Sequence, residues 1–335
     1  MPMANFRLSF ALPKRQQVAL VDASGISILN EYIPQKDTSI IDIEHINVFA
    51  LLRMIVAGKK SLFDYIIAYI KVFKPQFVFT FLDNNVDFYK LAAIFPKVKF
   101  IAIQNGHRAN YANQSGFGFF DLLKNESAKN KLSAHAICVL GTTAADQYTQ
   151  YIQAKPVVTG SLKNNLIGNQ IKPTERFDIV YVSQHAPFEI PNSEVKFFFG
   201  NKSITAEEFY AIEQKIVRFL AAHSKQTGQS FAVLGKRTDS VSYEREFFVT
   251  AASPKEVQFI PRTSETSTYE FCNSASLIVT TDSTIGYEFL ARSNRVVFLS
   301  GRINAVSDEL SREIHDTDFV FPLEIESAGP FWTNS

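Results

Sequence analysis

The segment TTDSTIGYE, residues 280–288, sets an aspartate, a serine and a threonine directly after the apolar run SLIVTT. Hydroxyls and backbone N–H groups at a strand-to-helix turn suit a phosphate, because the amino end of a helix adds positive potential at that point. Asp282, Ser283 and Thr284 are therefore candidates for holding a phosphate, with Gly286 keeping the first turn narrow enough for close approach. Glu288, one turn further, could accept hydrogen bonds from ribose hydroxyls. The same residue types also cap helices and place acids in first turns, so a capping reading stands beside the ligand reading.

Four other strand ends are unusually polar. IVYVSQHAP ends in Ser183, Gln184 and His185, and VLGKRTD carries Lys236 and Arg237, cations able to neutralise a diphosphate or a sugar carboxylate. FTFLDNNVD offers Asp83, Asn84, Asn85 and Asp87. FIAIQNGHR turns from a buried strand into Gln104, Asn105, His107 and Arg108. A carboxylate or an imidazole can serve as a general base when burial tunes its pKa, which singles out Asp83 and His107. The amides can bind sugar hydroxyls without charge. A lone histidine before Ala-Pro, such as His185, also reads as structural, and the Lys236–Arg237 pair as a solvated one. No Gly-rich Walker loop and no His/Cys/Asp cluster at metal spacing occurs, so no metal and no separate cofactor is expected.

The positioning elements follow from periodicity. Short apolar runs at 17–24, 38–43, 76–83, 98–104, 135–141 and 155–161 read as strands, separated by helical patterns at 46–58, 61–73, 87–95 and 142–153. Continuous apolar strands alternating with helices imply a parallel sheet covered on both faces. Residues 162–176, polar and without sustained period, read as a linker. The alternation then restarts, with strands at 177–184, 230–237, 257–262, 276–281 and 295–300. Helices are expected at 205–225, where Thr205 is a candidate cap, and at 242–252, 266–275 and 283–293. The expected fold is α/β, with an N-terminal Rossmann-like domain over 1–161 and a C-terminal one over 177–335. In such sheets ligands bind beyond the carboxyl ends of the strands, which is where the polar turns fall.

Composition narrows the class. The 335 residues carry 34 Lys and Arg against 33 Asp and Glu, so nothing marks a nucleic-acid binder. Two cysteines in apolar runs exclude a disulfide framework and fit a reducing, cytoplasmic setting. Residues 1–16 lack the apolar core of a secretory signal, and no apolar stretch is long enough to span a bilayer.

The run TTDSTIGYEFLARSNRVVFLS resembles the donor-site segment of bacterial surface-polysaccharide transferases of GT-B architecture, two Rossmann-like domains facing a cleft. Kdo transferases of capsule synthesis and CDP-glycerol glycerophosphotransferases are among them. FTFLDNNVDFYKLAAIFPKVKFIAIQNGHR is similar to the amino-terminal domain of surface-carbohydrate biosynthesis proteins, where a strand ending in an aspartate and a later QNG or HG turn recur. Where glycerophosphotransferases have a His before the Gly, this chain has Asn105-Gly106-His107. The resemblance covers residues 77–108 and 257–300. It implies a metal-independent glycosyltransferase moving a sugar from a nucleotide donor, with a lean toward a CMP-linked sugar, to a surface-polysaccharide or lipid-linked glycan acceptor. It puts Ser183, Gln184, His185, Lys236, Arg237 and the 282–288 turn at the donor, and Pro261 and Arg262 beside the nucleobase. His107 or Asp83 would be the base, with Asn84, Asn85, Gln104, Asn105 and Arg108 at the acceptor. The alternatives are a CDP-polyol phosphotransferase and a non-catalytic nucleotide-binding scaffold. LLRMIVAGKKSLFDYIIAYIKVFK, residues 51–74, adds Arg53, Lys59, Lys60, Lys71 and Lys74 to two apolar helical stretches with one acid, Asp64. This suits either sheet-covering helices with snorkelling lysines or contact with the inner-membrane surface.

Overall fold

The computed structural model describes residues 7–11, 17–23, 25–41, 45–108, 118–167, 175–185, 191, 193–199, 202–238, 241–251, 257–264 and 266–299. These fall into two compact units. One comprises residues up to Gly106 together with Phe120–Leu166. The other takes His107, Arg108, Gly118, Phe119 and the chain from Ile167 onward. The contiguous division at 161 and 177 expected from sequence thus meets an exchange, because the chain around His107 groups with the second unit. Part of the expected linker is a helix, Leu162–Ile167, with the N–H of Asn164 donating to the Ser161 hydroxyl. Residues 168–174 of that linker lie outside the described residues.

The first unit is built on six parallel strands, β1 (Val18–Val21), β2 (Thr38–Ile41), β3 (Phe77–Thr80), β4 (Lys99–Ile103), β5 (Ser133–Val139) and β6 (Gln153–Val158), in the order β2-β1-β3-β4-β5-β6. The second has five, β7 (Ile179–Val182), β8 (Phe231–Leu234), β9 (Gln258–Ile260), β10 (Leu277–Thr280) and β11 (Val296–Phe298), in the order β9-β8-β7-β10-β11. Both are the parallel α/β sheets that the alternating runs predict.

Side-chain alternation along β7 explains how its sheet is covered. Ile179 and Tyr181 pack on one face with Ile216, Val217 and Phe248, whereas Val180 and Val182 pack on the other with Tyr269, Cys272 and Phe289. A strand of period two that is apolar at every position has two buried faces. Register is close across the centre, where Ile179 is opposite both Phe231 and Leu277.

The chain lays β8 and β9 on one side of β7, then crosses to lay β10 and β11 on the other. The crevice beyond the carboxyl ends of β7 and β10 is therefore the switch point of this sheet. In the first unit the corresponding point lies between β1 and β3, where the Thr80 hydroxyl donates to the Val21 carbonyl and Asp22 follows at a φ of 73°.

Several of the described elements were not legible as periodic runs, among them a helix and a hairpin. The helix Phe119–Ser127 buries only Leu123 on its inner side, and the antiparallel hairpin of Lys196–Phe199 and Lys202–Thr205 is held by the buried cross-strand pair Phe197 and Ile204. The hairpin feeds directly into the helix Ala206–Thr227, which starts as the sequence predicts. The Thr205 hydroxyl accepts the Glu208 N–H at 3.2 Å, and the Glu208 carboxylate accepts the Thr205 N–H at 2.7 Å. Gly228, left-handed at a φ of 70°, ends it. Replacing Thr205 by Ala removes one half of this reciprocal cap and should lower the unfolding free energy by about 1 kcal/mol, read from the denaturant midpoint at unchanged slope.

Candidate functional site

Four neighbouring strands of the second unit deliver their following turns to one edge of the sheet: Pro261–Arg262 after β9, Gly235–Arg237 after β8, Ser183–His185 after β7 and Thr281–Thr284 after β10. The turns after β7 and β8 are bound together by Glu244, on the helix Val241–Ala251 and fully buried. Its carboxylate accepts the Ser183 hydroxyl at 2.5 Å, the Lys236 N–H at 2.9 and 3.1 Å and the Arg237 N–H at 3.3 Å. Burial raises the Glu244 pKa above the ordinary carboxylate value. The Ser183 hydroxyl, the two N–H groups and the Lys236 charge oppose that shift. Gly235 lets the helix come this close, since a β-carbon there would stand 2.9 Å from the Phe259 ring and 3.1 Å from the Glu244 carboxylate. Arg262 closes the row by donating to the Lys236 carbonyl at 3.2 Å and to the Ser264 carbonyl at 3.1 Å. From the long helix, packed on the same face of the sheet, Glu213, also fully buried, accepts the Gln184 N–H and the Tyr181 hydroxyl, each at 2.9 Å.

At the switch point stands the amino end of the helix Thr284–Ala291. Ser283 is its cap residue, yet its side chain makes no capping bond. The Ser283 N–H instead donates to the Thr280 hydroxyl at 3.3 Å. Asp282, Ser283 and Thr284 are half-buried. The Thr284 hydroxyl accepts the His107 N–H at 2.9 Å, and the His107 imidazole lies 4.9 Å from the Tyr287 ring at a 41° tilt. Two segments singled out from sequence, 177 residues apart, thus meet within one unit. Burial lowers the His107 pKa below the usual histidine value. The Arg108 charge lowers it further and the Asp282 carboxylate opposes the shift, so the ring is neutral near pH 7. Among the described residues no group of three or more His, Cys, Asp and Glu is arranged to hold a metal ion.

Against this geometry, the profile of a family described as "putative O-antigen biosynthesis protein" matches residues 101–335. The chain belongs to that family. A search of curated proteins finds no match. Among solved structures, the UDP complex of MnaA from S. aureus is similar over 85% of this chain and 79% of that one, at 13% identity and a TM-score of 0.49. UDP-GlcNAc 2-epimerase from Neisseria meningitidis bound to UDP-GlcNAc is similar over 84% and 81%, at 11% identity and a TM-score of 0.49. Sucrose-phosphate synthase from Thermosynechococcus elongatus is similar over 84% and 80%, at 12% identity and a TM-score of 0.47.

The residues expected at the donor divide into two groups. Gln184, Lys236, Arg237, Pro261, Arg262, Asp282, Ser283 and Thr284 keep part or all of their surface at the strand ends. Ser183, His185, Gly286 and Glu288 are interior and act as supports. The Ser183 hydroxyl is committed to Glu244. The Glu288 carboxylate accepts the Tyr269 hydroxyl at 2.6 Å, which corrects the ribose expectation, and burial with the Glu288 charge pushes the Tyr269 pKa up. A β-carbon on Gly286 would stand 2.8 Å from the Phe298 ring and from the Thr280 methyl, so this glycine serves helix-on-sheet packing rather than approach of a ligand.

The first unit brings a parallel correction. Asp83 is fully buried; its carboxylate accepts the Asn105 N–H at 3.2 Å and the Tyr148 hydroxyl, and its carbonyl accepts the Tyr89 hydroxyl at 2.6 Å. Such an aspartate ties two strand-end turns together and is poorly placed to take a proton from an acceptor. Gln104 is likewise spent, donating to the Gly106 carbonyl at 3.0 Å and accepting the Leu140 N–H at 2.9 Å. Asn85 caps the helix Val86–Ile94 through the Asp87 N–H, and Asp87 pairs with Lys90 at 3.2 Å. Asn84 and Asn105 are exposed. Arg108 lies over the Phe119 ring at 5.7 Å, inside the second unit.

Glu244 and Glu213 escaped the sequence reading, although each sits on the apolar stripe of its helix. Glu244 precedes buried Phe248 by four positions, and Glu213 lies between Phe209 and Val217 at the same spacing. An acid on a buried stripe is the signal that finds them.

His185 is fully buried, stacked on Phe247 at 3.8 Å and 6° and flanked edge-on by Tyr210 at 4.7 Å, and among the described residues neither ring nitrogen has a hydrogen-bond partner. Burial, with repulsion from Lys236, pushes its pKa down to about 4. The unfolded chain, with a histidine near 6.5, binds the proton more readily throughout this window. Stability is therefore complete above pH 6.5 and falls as the pH drops toward 4, by about 2 kcal/mol between pH 7 and pH 5 for this group. Denaturant titrations at the two pH values check it: His185→Phe, which keeps the stacking, should remove most of the difference.

Proposed function

We propose that this chain is a GT-B-type glycosyltransferase of O-antigen synthesis. It takes a nucleotide sugar on its second unit and passes the sugar to a surface-polysaccharide or lipid-linked glycan acceptor. The observation that carries the reading is the amino end of the helix Thr284–Ala291 at the sheet's switch point, with a Ser283 hydroxyl not used for capping and Lys236, Arg237 and Arg262 along the same edge. The donor phosphate sits at that helix end, where N–H groups, hydroxyls and the helix dipole all favour negative charge. The base lies toward Pro261 and Arg262. A cytidine nucleotide, favoured by the sequence resemblance, is the first donor to test.

His107 is the candidate general base. Its imidazole is neutral near pH 7 and lies beside Thr284, whereas Asp83 has both oxygens engaged.

Calorimetry with CMP, CDP and UDP tests the donor site. Replacing Ser283 and Thr284 by Ala should weaken binding of the nucleotide that binds best by about 5- to 150-fold, as expected for losing hydroxyl bonds to a charged group worth about 1–3 kcal/mol. Affinity that does not change sinks the assignment. Product mass from a panel of nucleotide sugars and CDP-polyols then separates sugar transfer from polyol-phosphate transfer, and binding without product identifies a scaffold.

Activity against pH tests His107. The acid limb of kcat should fall below the ordinary histidine midpoint of about 6.5, because the deprotonated form persists to lower pH. His107→Ala should abolish that limb and most turnover while nucleotide affinity is retained. A variant with the wild-type profile refutes the role.

A further inference from the structure

We propose that the helices Val48–Val56 and Leu62–Phe73 of the first unit carry a docking surface for an anionic lipid bilayer, built from the apolar side chains Leu52, Ile55, Val56 and Leu62 and the cations Lys59 and Lys60. Leu52, Ile55 and Val56 stand at i, i+3 and i+4 and so form one stripe of their helix. They are 53%, 56% and 87% exposed, and Leu62, which opens the next helix, is 51% exposed. Large apolar side chains contiguous in this way and left in water mark an interaction site.

The fold does not require them. The first helix is started by the Asn47 side chain, which accepts the Phe49 N–H at 3.0 Å and the Ala50 N–H at 3.3 Å, and it buries Ala50 on its inner side. The second buries Tyr65, Ile66, Tyr69, Ile70 and Phe73. None of the four apolar side chains is among the buried residues of its helix.

Charge decides the occupant. The tip between the helices, residues 57–61, is exposed and carries Lys59 and Lys60, while Arg53 is exposed on the first helix. The only acid between residues 48 and 74 is Asp64. It is taken up in the capping box of the second helix, accepting the Ser61 N–H and hydroxyl at 3.3 and 2.6 Å. Apolar side chains that can enter the acyl boundary, ringed by cations of one sign, fit an anionic bilayer surface. No helix among the described residues is long and apolar enough to cross a membrane, so the contact is peripheral. Lys71, grouped with this patch on sequence alone, lies nine residues beyond Leu62, about 14 Å along the helix axis, and belongs outside it.

Flotation of the full chain with vesicles of phosphatidylcholine, alone or mixed with phosphatidylglycerol, tests the surface. The protein should rise only with the anionic vesicles and should be released by high salt. Lys59→Gln with Lys60→Gln should lower the partition coefficient about 30-fold, the equivalent of about 1 kcal/mol for each charge. Leu52→Ser with Val56→Ser should also weaken flotation, and Lys71→Gln should leave it unchanged. All these side chains are exposed, so melting curves and nucleotide affinity stay at wild-type values, which separates failure here from failure of the donor site. Absence of flotation at low salt, or flotation indifferent to both double variants, overturns the proposal. So does self-association that Leu52→Ser with Val56→Ser abolishes in a protein that does not float, which would assign the stripe to a second copy.

Discussion

The arrangement at the strand ends of the second unit hangs on the buried carboxylate of Glu244. One oxygen pair satisfies a hydroxyl after β7 and two backbone N–H groups after β8, groups that would otherwise be desolvated without partners. Leaving a buried donor unpaired costs about 1–3 kcal/mol, so the two turns are held in one geometry by a group contributed from outside both. Arg262 extends the tie to a third turn through the Lys236 carbonyl. The side chains of exposed Lys236 and half-buried Arg237 thereby stand on backbone that is fixed from behind, which is the condition for a site rather than a mobile charged loop.

A parallel sheet imposes the rest. With every strand running the same way, all following turns gather at one edge, and the order in which strands are laid down decides which two of them leave a crevice. In the second unit these are β7 and β10, and the helix that begins after β10 places its amino end there. Supports and surface residues alternate in these turns: Ser183 and His185 turn inward while Gln184 between them reaches the surface, and Gly286 and Glu288 face the packed interior behind Ser283 and Thr284.

How much of this is legible in sequence depends on the range of the interaction concerned. The eleven strands of the two main sheets and most of the long helices follow from apolar runs and local capping, since the Thr205–Glu208 reciprocity spans three residues. The polar strand ends are legible for the same reason. What each polar residue does there is not. Asp83, Ser183 and Glu288 look like ligand residues because their partners Tyr148, Glu244 and Tyr269 are 65, 61 and 19 positions away and invisible to any local pattern. The grouping of His107 with the second unit is of the same kind.

The path of the chain between the units has a consequence for biosynthesis. Neither unit is a contiguous stretch, because the chain leaves the first at Gly106, returns at Phe120 and leaves again after Leu166. As the polypeptide emerges from the ribosome, the strands of the first sheet are complete once β6 has cleared the exit tunnel. The hydroxyl that receives the His107 N–H is still 177 residues from His107 along the chain. Residues around His107 must wait, tethered at both sides to a sheet that can already fold, until Thr284 is translated. Assembly of this edge of the second sheet is thus the late event of the chain's synthesis, and a product stalled before β10 would hold a formed first sheet but lack the Thr284 hydroxyl that receives the His107 N–H.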